Sequence, residues 1–219
     1  MNRIVENIAN LRLEIPSEVK IVAVSKSRSV EDIREVMSTG LICFGENRAM
    51  ELYSKNEEIP EVEWHFVGHL QTNKVKYIAP FVKMIQSVDS FHLLNEINNQ
   101  AEKYHRTIEC LLQIHISAEK QKFGFSNEEL FRLLEMPKLS SLQHVRICGL
   151  MGMATYTNIP ALIRFEFRQL ARLHQQVKER FFPESPFFTE LSMGMSGDYP
   201  IAVEEGCTMV RIGRDIFGR

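Results

Sequence analysis

Short apolar runs alternate with longer amphipathic segments along the whole chain. Apolar runs of four to eight residues are typical of strands buried on both faces of a parallel sheet, whereas apolar residues spaced by three or four are typical of helices. The pattern predicts eight strands, within residues 21–26, 41–47, 63–70, 83–89, 109–117, 144–153, 187–195 and 208–213.

The segments between these strands have the pattern of helices. A first helix is predicted before strand 1, because Ile4, Ile8 and Leu11 fall on one face. In the segment after strand 1, Ser29 is a suitable N-cap and Gly40 a suitable end. The longest helix is predicted over 159–182, and shorter ones are predicted up to about residue 58, from 72, over 90–105, from 127 and over 201–206.

Strands that alternate with helices imply a parallel sheet with helical crossovers. A doubly wound open sheet is one alternative, but the first turn, residues 25–30, contains no glycine and no nucleotide-binding fingerprint. A count of eight strands favours the (β/α)8 or TIM barrel, whose size range includes 219 residues. We therefore expect residues 1–219 to form a single α/β barrel domain with an extra N-terminal helix.

Composition restricts the class of protein. The chain is 44% hydrophobic and carries a formal net charge of −2, which gives no reason to expect a nucleic-acid or membrane partner. The first fifteen residues are amphipathic and interrupted by charge, unlike a signal peptide or membrane span. The four cysteines, which we expect to be reduced core residues of a cytoplasmic protein, share no metal or redox spacing: Cys43, Cys110, Cys148 and Cys207.

A single lysine, Lys26, follows the first apolar run. In a barrel the carboxyl ends of the strands form the face on which active sites are built. A lysine amine in partly dry surroundings can lose its proton and form a Schiff base with an aldehyde. Taken alone, Lys26 is better explained as a solvated residue at a strand exit.

The loops after strands 7 and 8 are rich in groups that suit a phosphate. In many barrels phosphates bind at these two loops beside the N-terminus of a short helix, which here begins near Asp198. Glycine amides, serine hydroxyls and one guanidinium are available at Ser192, Gly194, Ser196, Gly197, Gly213 and Arg214.

Each of these residues also has a simpler explanation. Arg211 alternates with apolar neighbours and could face either the barrel interior or the surface. His65 and His69 are more typical of hydrogen-bonded core or loop residues, and Asp198 of a helix cap. The methionines at the strand ends suit packing. The coincidence on one rim of a lysine and a phosphate cradle favours pyridoxal 5′-phosphate (PLP), which needs both.

A series of motifs supports this interpretation. In chain order they are IVAVSK at 21–26, FGEN at 44–47, WHFVGHLQTNK at 64–74, KFGF at 122–125, GLMGM at 149–153, LSMGMSGD at 191–198 and MVRIG at 209–213. Through these motifs the chain resembles the pyridoxal phosphate homeostasis protein family, whose members are similar to the N-terminal barrel of alanine racemases and of eukaryotic ornithine decarboxylases. The resemblance covers essentially the whole chain.

The resemblance implies roles for individual residues. Lys26 matches the lysine that forms the internal aldimine, Asn47 a polar residue beside the cofactor, and Arg211 the arginine that faces the pyridine nitrogen. The residues that fall in the family's phosphate-binding loops are Ser192, Met195, Ser196, Gly213 and Arg214. Two positions depart from the family pattern: relatives often have a small hydroxyl residue in place of Arg214, and they lack Pro200 in the first turn of the helix, where proline is tolerated.

The resemblance also implies a function, which is to hold PLP and buffer or deliver it in vitamin B6 homeostasis without robust catalysis. A PLP-dependent amino-acid racemase is the main alternative. A metal-dependent hydrolase is weaker, because no HxH or HExxH spacing is present. The sequence ends seven residues after Ile212, and we expect no second β-domain of the racemase kind, a monomer, and PLP-dependent apoenzymes as partners.

Overall fold

A computed structural model of the chain describes residues 3–119 and 123–218, and within them eight parallel strands close into a barrel. The strands are β1 (Lys20–Val24), β2 (Cys43–Glu46), β3 (Glu63–Phe66), β4 (Met84–Val88), β5 (Ile108–Ile114), β6 (Val145–Gly152), β7 (Glu190–Met195) and β8 (Met209–Ile212). The barrel closes through β1 and β8, where Ile21 pairs with Val210. The predicted (β/α)8 barrel is confirmed, and the open sheet is wrong. The start of the KFGF motif, Lys122, lies outside the described residues.

Helices cover the outside of the barrel. They are α1 (Arg3–Glu14), α2 (Val30–Met37), α3 (Ala49–Glu58), α4 (Val75–Ile78), α5 (Phe91–Lys103), α6 (Asn127–Leu134), α7 (Pro160–Phe181), α8 (Tyr199–Glu204) and α9 (Arg214–Phe217). The extra N-terminal helix and the long α7 are therefore confirmed. Helix α9 and a 3-10 turn at Pro137–Ser141 were not predicted, because a single turn carries no periodic signal. None of the helices in the described parts of the chain is long and apolar enough to cross a membrane.

The sequence determines the ends of α2 through local hydrogen bonds. Ser29 Oγ accepts a hydrogen bond from Asp32 N at 3.2 Å, and the Asp32 carboxylate accepts one from Ser29 N at 3.3 Å. This reciprocal pair is a capping box, which satisfies two backbone donors at the helix start. Beyond the helix, Gly40 has φ +83°, a conformation that glycine adopts without strain. The predicted start at Ser29 is confirmed, whereas the helix ends at Met37, three residues before Gly40.

Two apolar clusters form the core. The larger packs between the strands and the helices, and it includes Ile33, Leu52, Ile97 and Phe167, all fully buried. The smaller lies inside the barrel and comprises Val22, Cys43, Met84, Leu111, Cys148, Met151 and Met209. All four cysteines are buried and free of disulfides, as expected for core residues.

Candidate functional site

Closure of the barrel pairs the first strand with the last, so the carboxyl ends of β1 and β8 lie side by side on one rim. In the pairing of β1 with β8, Val22 lies opposite Arg211 and Ala23 opposite Ile212. At Gly213, which follows β8, an added Cβ atom would lie 3.2 Å from the backbone oxygen of Val24. The exit of β8 therefore runs against the exit of β1, and the turn that carries Lys26 is next to the loop of Gly213.

Lys26 lies two residues beyond β1, in a turn, and is exposed. The next residue, Ser27, has φ +60°, a backbone conformation that is uncommon for residues other than glycine. Its backbone N donates a hydrogen bond of 2.6 Å to Glu51 Oε1. The turn is thus fixed, while the Lys26 side chain is accessible; protein atoms alone do not provide the partly dry surroundings expected from the sequence.

A buried ion pair lies directly beneath this turn, and sequence reasoning missed it. Lys55 Nζ lies 2.7 Å from Glu46 Oε1 and 2.8 Å from Glu51 Oε1, and it donates a 2.8 Å hydrogen bond to the backbone oxygen of Ser25. Ser25 Oγ also donates to Glu46 Oε1, at 2.7 Å. Burial raises the pKa of Glu46, although the hydrogen bonds from Lys55 and Ser25 oppose that effect. The spacing of four between Glu51 and Lys55 was the one available signal.

Arg211 points into the barrel, which decides between the two orientations left open by the sequence. It is 4% exposed, and it donates hydrogen bonds from Nη1 to Ser192 Oγ at 2.6 Å and from Nη2 to the backbone oxygen of Gly152 at 3.0 Å. Because Gly152 ends β6, the guanidinium lies inside the barrel near the carboxyl ends of the strands, which we call its upper end. Burial lowers the pKa of Arg211 to about 10, and the side chain is therefore charged at neutral pH.

A chain of polar side chains continues from Arg211 down the barrel interior. Ser192 Oγ donates to Gln86 Oε1 at 2.7 Å, and Gln86 Nε2 donates to His65 Nδ1 at 2.9 Å. Ser192 lies within β7 and is fully buried. The structure thus places Ser192 inside the barrel, where its hydroxyl accepts a hydrogen bond from Arg211; its part in holding a phosphate stays a prediction. His65 is a hydrogen-bonded core histidine, which confirms the simpler explanation.

The loops after β7 and β8 meet at the rim. Ser196 Oγ accepts a hydrogen bond from Asp215 N at 3.3 Å, which joins the two loops. A Cβ atom added at Gly197 would lie 3.8 Å from Arg214 Nη2, and the guanidinium of Arg214 therefore extends over that glycine. Ser196 is half-buried and Arg214 is exposed. A hydroxyl and a cation thus face one small region of the rim.

The residues around this region are held by short contacts. Met195, at the end of β7, is 37% exposed, and its backbone N donates to Asp198 Oδ1 at 2.5 Å. Asp198 is the N-cap residue of α8 by position, but its carboxylate bonds to Met195 rather than to the helix amides. Pro200 lies in the first turn of α8, where it is tolerated as expected.

Asn47 and His69 follow β2 and β3, on the other side of β1 from the loops after β7 and β8. A Cβ atom added at Gly68 would lie only 2.6 Å from the backbone oxygen of Asn47, so a glycine is required for these two loops to pack together. Asn47 is half-buried. His69 Nδ1 lies 3.0 Å from Asp89 Oδ2, and its ring stacks on Phe123 with centroids 3.6 Å apart. The expectation that His69 is a hydrogen-bonded loop residue is confirmed.

The fold and the rim define a barrel of the alanine racemase N-terminal class, and the family model described as "Alanine racemase, N-terminal domain" matches residues 1–219. The chain is 38% identical to the pyridoxal phosphate homeostasis protein of Aquifex aeolicus over 201 residues, which cover 91% of this chain and 86% of that protein. This chain therefore belongs to the pyridoxal phosphate homeostasis protein family, and the resemblance inferred from the motifs is confirmed.

Solved structures agree with this assignment. PipY of Synechococcus elongatus PCC7942, solved with PLP bound, is 36% identical, has a TM-score of 0.89, and is matched over 98% of this chain and 100% of that one. An alanine racemase of Clostridium difficile is 15% identical, with a TM-score of 0.78 over 99% of this chain and 56% of that chain. The second similarity shows the shared fold alone.

Proposed function

We propose that this protein binds PLP and acts in vitamin B6 homeostasis by holding the cofactor and delivering it. The observation that carries the proposal is the closure of β1 against β8, which places the exposed Lys26 beside the loops of Ser196, Gly213 and Arg214. The names of its relatives and the PLP-bound structure of PipY support the same function.

The residues at the rim fit PLP chemically. The cofactor brings an aldehyde that condenses with a lysine amine, a pyridine nitrogen and a phosphate, and each has a counterpart here. Lys26 would hold the cofactor covalently, Arg211 would face the pyridine nitrogen, and Asn47 would lie beside the ring. The phosphate would be held by Ser196, by Arg214 and by the backbone at Gly213, with Met195, whose amide is bonded to Asp198, beside it in the same loop.

The charge on Arg211 suits a carrier. A guanidinium that stays protonated disfavours a second positive charge on a ring nitrogen facing it. Arg211 is held by Ser192 and Gly152 in its place at the upper end of the barrel. An unprotonated ring withdraws electrons less strongly, which weakens transamination and decarboxylation. Racemisation proceeds with an unprotonated ring in alanine-racemase-type enzymes, so the charge on Arg211 does not by itself argue against a racemase.

Racemisation needs an acid or base on each face of the substrate carbon. Lys26 can serve one face, and tyrosine is a suitable group for the other. The Tyr199 hydroxyl, however, is hydrogen-bonded to Glu14 of α1, and Tyr156, in the loop after β6, is 94% exposed. The remaining tyrosines belong to or follow the outer helices, at Tyr53, Tyr77 and Tyr104. No tyrosine in the described residues is held over the rim, which favours the carrier.

We extend the proposal to the organisation of the protein. Residues 1–219 would act as one PLP-binding domain, as a monomer in the cytoplasm, and would hand the cofactor to PLP-dependent apoenzymes. The exposure of Lys26 supports delivery, because an acceptor can reach the bound cofactor. The four buried, unpaired cysteines support a reducing compartment.

The covalent assignment is tested by spectroscopy and peptide mapping. The purified protein should be yellow, and Lys26→Ala should lose the visible band of the lysine-bound cofactor. The control is Lys103→Ala, an exposed lysine at the end of α5, which should keep the band. Borohydride reduction followed by peptide mapping should place the pyridoxyl group on Lys26. Its recovery on another lysine would contradict the assignment of Lys26 as the residue that binds PLP covalently.

Measuring the turnover of amino acids distinguishes a PLP carrier from a racemase. The PLP-loaded protein is incubated with each common L-amino acid, and chirality, keto-acid and amine formation are followed. We expect no sustained turnover. A rate in the typical enzymatic range of about 1–10³ per second for any amino acid would overturn the carrier in favour of an enzyme.

A further inference from the structure

A cluster of three metal-binding side chains lies at the end of the barrel opposite Lys26. Cys43 begins β2, Glu63 begins β3, and these two residues are paired in register; His65 follows on β3 with its ring in the barrel interior. The proposed PLP function makes no use of them. They also escaped the search for sequence spacing, because Cys43 belongs to a different strand from the other two.

The distances from His65 Nε2 to the other two ligand atoms match those of a tetrahedral metal site. Cys43 Sγ lies 3.5 Å from His65 Nε2, which lies 3.3 Å from Glu63 Oε1, and all three atoms are within 4.8 Å of one another. Zinc bonds of about 2.3 Å to sulfur and about 2.1 Å to nitrogen or oxygen, at the tetrahedral angle, place sulfur and nitrogen about 3.6 Å apart and nitrogen and oxygen about 3.4 Å apart.

We propose that Cys43, Glu63 and His65 bind one divalent transition-metal ion of the zinc type. A thiolate, an imidazole and a carboxylate are the ligand types that zinc takes, and three protein ligands leave a fourth position for water. Cys43 and His65 are 7% and 0% exposed, so an ion bound there is largely buried and needs counter-charges. The thiolate and the carboxylate together supply two negative charges, which neutralise it.

The cluster can be reached from solvent. A cavity of about 470 Å³ opens at this end of the barrel, and Cys43 and Glu63 are part of its wall together with Ile15, Val19 and Lys20. The Lys20 ammonium lies 3.7 Å from Glu63 Oε1 and is partly exposed. A hydrated ion can therefore approach the sulfur and the carboxylate from this cavity, while His65 completes the site from the interior.

Gln86 can become the partner that a metal-bound histidine needs. In this structure its side-chain amide nitrogen donates to His65 Nδ1 at 2.9 Å, and its oxygen accepts from Ser192. A metal on Nε2 requires the ring proton on Nδ1; a half-turn of the Gln86 amide would then place its oxygen there as the acceptor and its nitrogen against Ser192 Oγ as the donor. Such a hydrogen bond fixes the tautomer and the ring orientation of metal-binding histidines.

The proton balance of binding is defined. A cysteine thiol, whose ordinary pKa is about 8.5, carries its proton at neutral pH before the ion binds. The ion replaces that proton, forming the sulfur–metal bond and releasing one H⁺ to solvent. The imidazole is neutral before and after, and its proton only moves from one ring nitrogen to the other.

The experiment is a titration of the full-length, reduced protein with Co²⁺ alone, in the PLP-loaded and the PLP-free form. At about 50 μM protein, a site of micromolar affinity fills stoichiometrically. Both forms should bind one ion per chain, with the charge-transfer absorption of a cobalt–thiolate bond and the strong visible bands of a four-coordinate ion. One equivalent of Zn²⁺ should remove these bands, and calorimetry in several buffers should find one proton released per ion.

Three variants make the test specific. Cys43→Ser should abolish the charge-transfer band, and Glu63→Gln should weaken Co²⁺ binding at least about tenfold. Cys148→Ser is the matched control, because Cys148 belongs to the same interior cluster but its thiol donates to the backbone oxygen of Arg146; it should bind Co²⁺ normally. If Cys43→Ser does not fold, Glu63→Gln remains usable, since that side chain is 29% exposed.

The absence of stoichiometric binding by the unmodified protein would overturn the proposal. So would a charge-transfer band that survives Cys43→Ser, or an affinity unchanged in Glu63→Gln. Binding confined to the PLP-loaded form would also overturn it, because the ion would then be held by the cofactor. None of these outcomes bears on PLP binding by Lys26, which lies at the other end of the barrel.

Discussion

Lys55 donates a 2.8 Å hydrogen bond from Nζ to the backbone oxygen of Ser25, the residue that precedes Lys26. A buried cation thus holds the strand exit from which Lys26, the lysine proposed to bind PLP, is presented. Its carboxylate partner, Glu46, is 0% exposed. Removal of one member of a buried ion pair leaves the other charge without compensation.

We expect Lys55→Met to lower the free energy of unfolding by about 3–5 kcal/mol, as measured by urea denaturation. It should also slow the covalent attachment of PLP, because the Lys26 turn loses its anchor. The matched control is Lys83→Met, which removes an exposed ion pair of 3.2 Å with Glu109 and should cost at most about 1 kcal/mol. Equal losses in the two variants would contradict a special role for Lys55.

Ser192 provides a second test, because its hydroxyl joins Arg211 to Gln86 in the barrel interior. Ser192→Ala leaves a charged donor and an amide oxygen without a partner, and we expect it to cost about 1–3 kcal/mol of unfolding free energy. The visible band of bound PLP should also shift, since Arg211, which we propose faces the ring, loses one of its two anchors.

The control for this variant is a neighbouring serine. Ser87 on β4 is also 0% exposed, but its Oγ has no hydrogen-bond partner among the described residues. Ser87→Ala should therefore be neutral or slightly stabilising and should leave the PLP spectrum unchanged. A cost for Ser87→Ala as large as for Ser192→Ala would show that the interior hydrogen bonds are not the cause.

The parts of the molecule that were predicted from sequence depend on local patterns. Apolar runs mark the strands, and caps such as Ser29 mark the helices, because these signals lie within a few residues of one another. The count of eight strands then determines which loops share a rim, and so Lys26 and the loop of Gly213 could be placed together before any coordinates were known.

The parts that were missed depend on contacts between elements that are distant in sequence. Lys55 on α3 approaches Ser25 across thirty positions, and Ser192 on β7 meets Gln86 on β4 across more than one hundred. Such pairs are determined by helix placement, strand register and side-chain direction, which one sequence does not reveal. The same limit applies to Ser192: its motif alone did not reveal that the side chain lies inside the barrel, in contact with Arg211 and Gln86.

His174 on α7 predicts a pH dependence of stability. Burial, with a contribution from the nearby Lys178, lowers the pKa of His174 from 6.5 to about 4. The unfolded chain takes up this proton near pH 6.5, and the folded chain does so only near pH 4. Stability from this residue is therefore complete above pH 6.5 and declines as the pH falls towards 4, by about 2 kcal/mol after allowance for partial exposure.

The measurement is a set of denaturation curves between pH 7 and pH 4.5. His174→Leu keeps an apolar side chain beside Phe188, whose ring centroid is 4.9 Å from that of His174, and it should reduce the loss of stability in acid. His92→Leu changes an exposed histidine on α5 and should leave the loss in place. If both variants follow the unmodified protein, His174 is not the group responsible.

The phosphate loops give the last prediction. Ser196 joins the loops after β7 and β8 through its hydrogen bond from Asp215 N, and Arg214 extends over Gly197 beside it. A hydrogen bond to a charged group contributes about 1.5–3 kcal/mol. We therefore expect Ser196→Ala to weaken PLP binding about tenfold or more, as measured by equilibrium dialysis.

Arg214 tests whether a side chain or only the backbone serves the phosphate. Arg214→Ala should weaken PLP binding and reduce its dependence on salt if the guanidinium contacts the phosphate; an unchanged affinity would assign this role to the backbone amide. Ser140→Ala, in the 3-10 turn at Pro137–Ser141, is the control and should bind normally. Pyridoxal without its phosphate should bind far more weakly to the unmodified protein. Ser196→Ala should reduce this difference in affinity between PLP and pyridoxal, whereas Ser140→Ala should leave it unchanged. Comparable affinities of the unmodified protein for the two vitamers would contradict a phosphate cradle at these loops, because the rim would then be recognising the aldehyde and the ring alone.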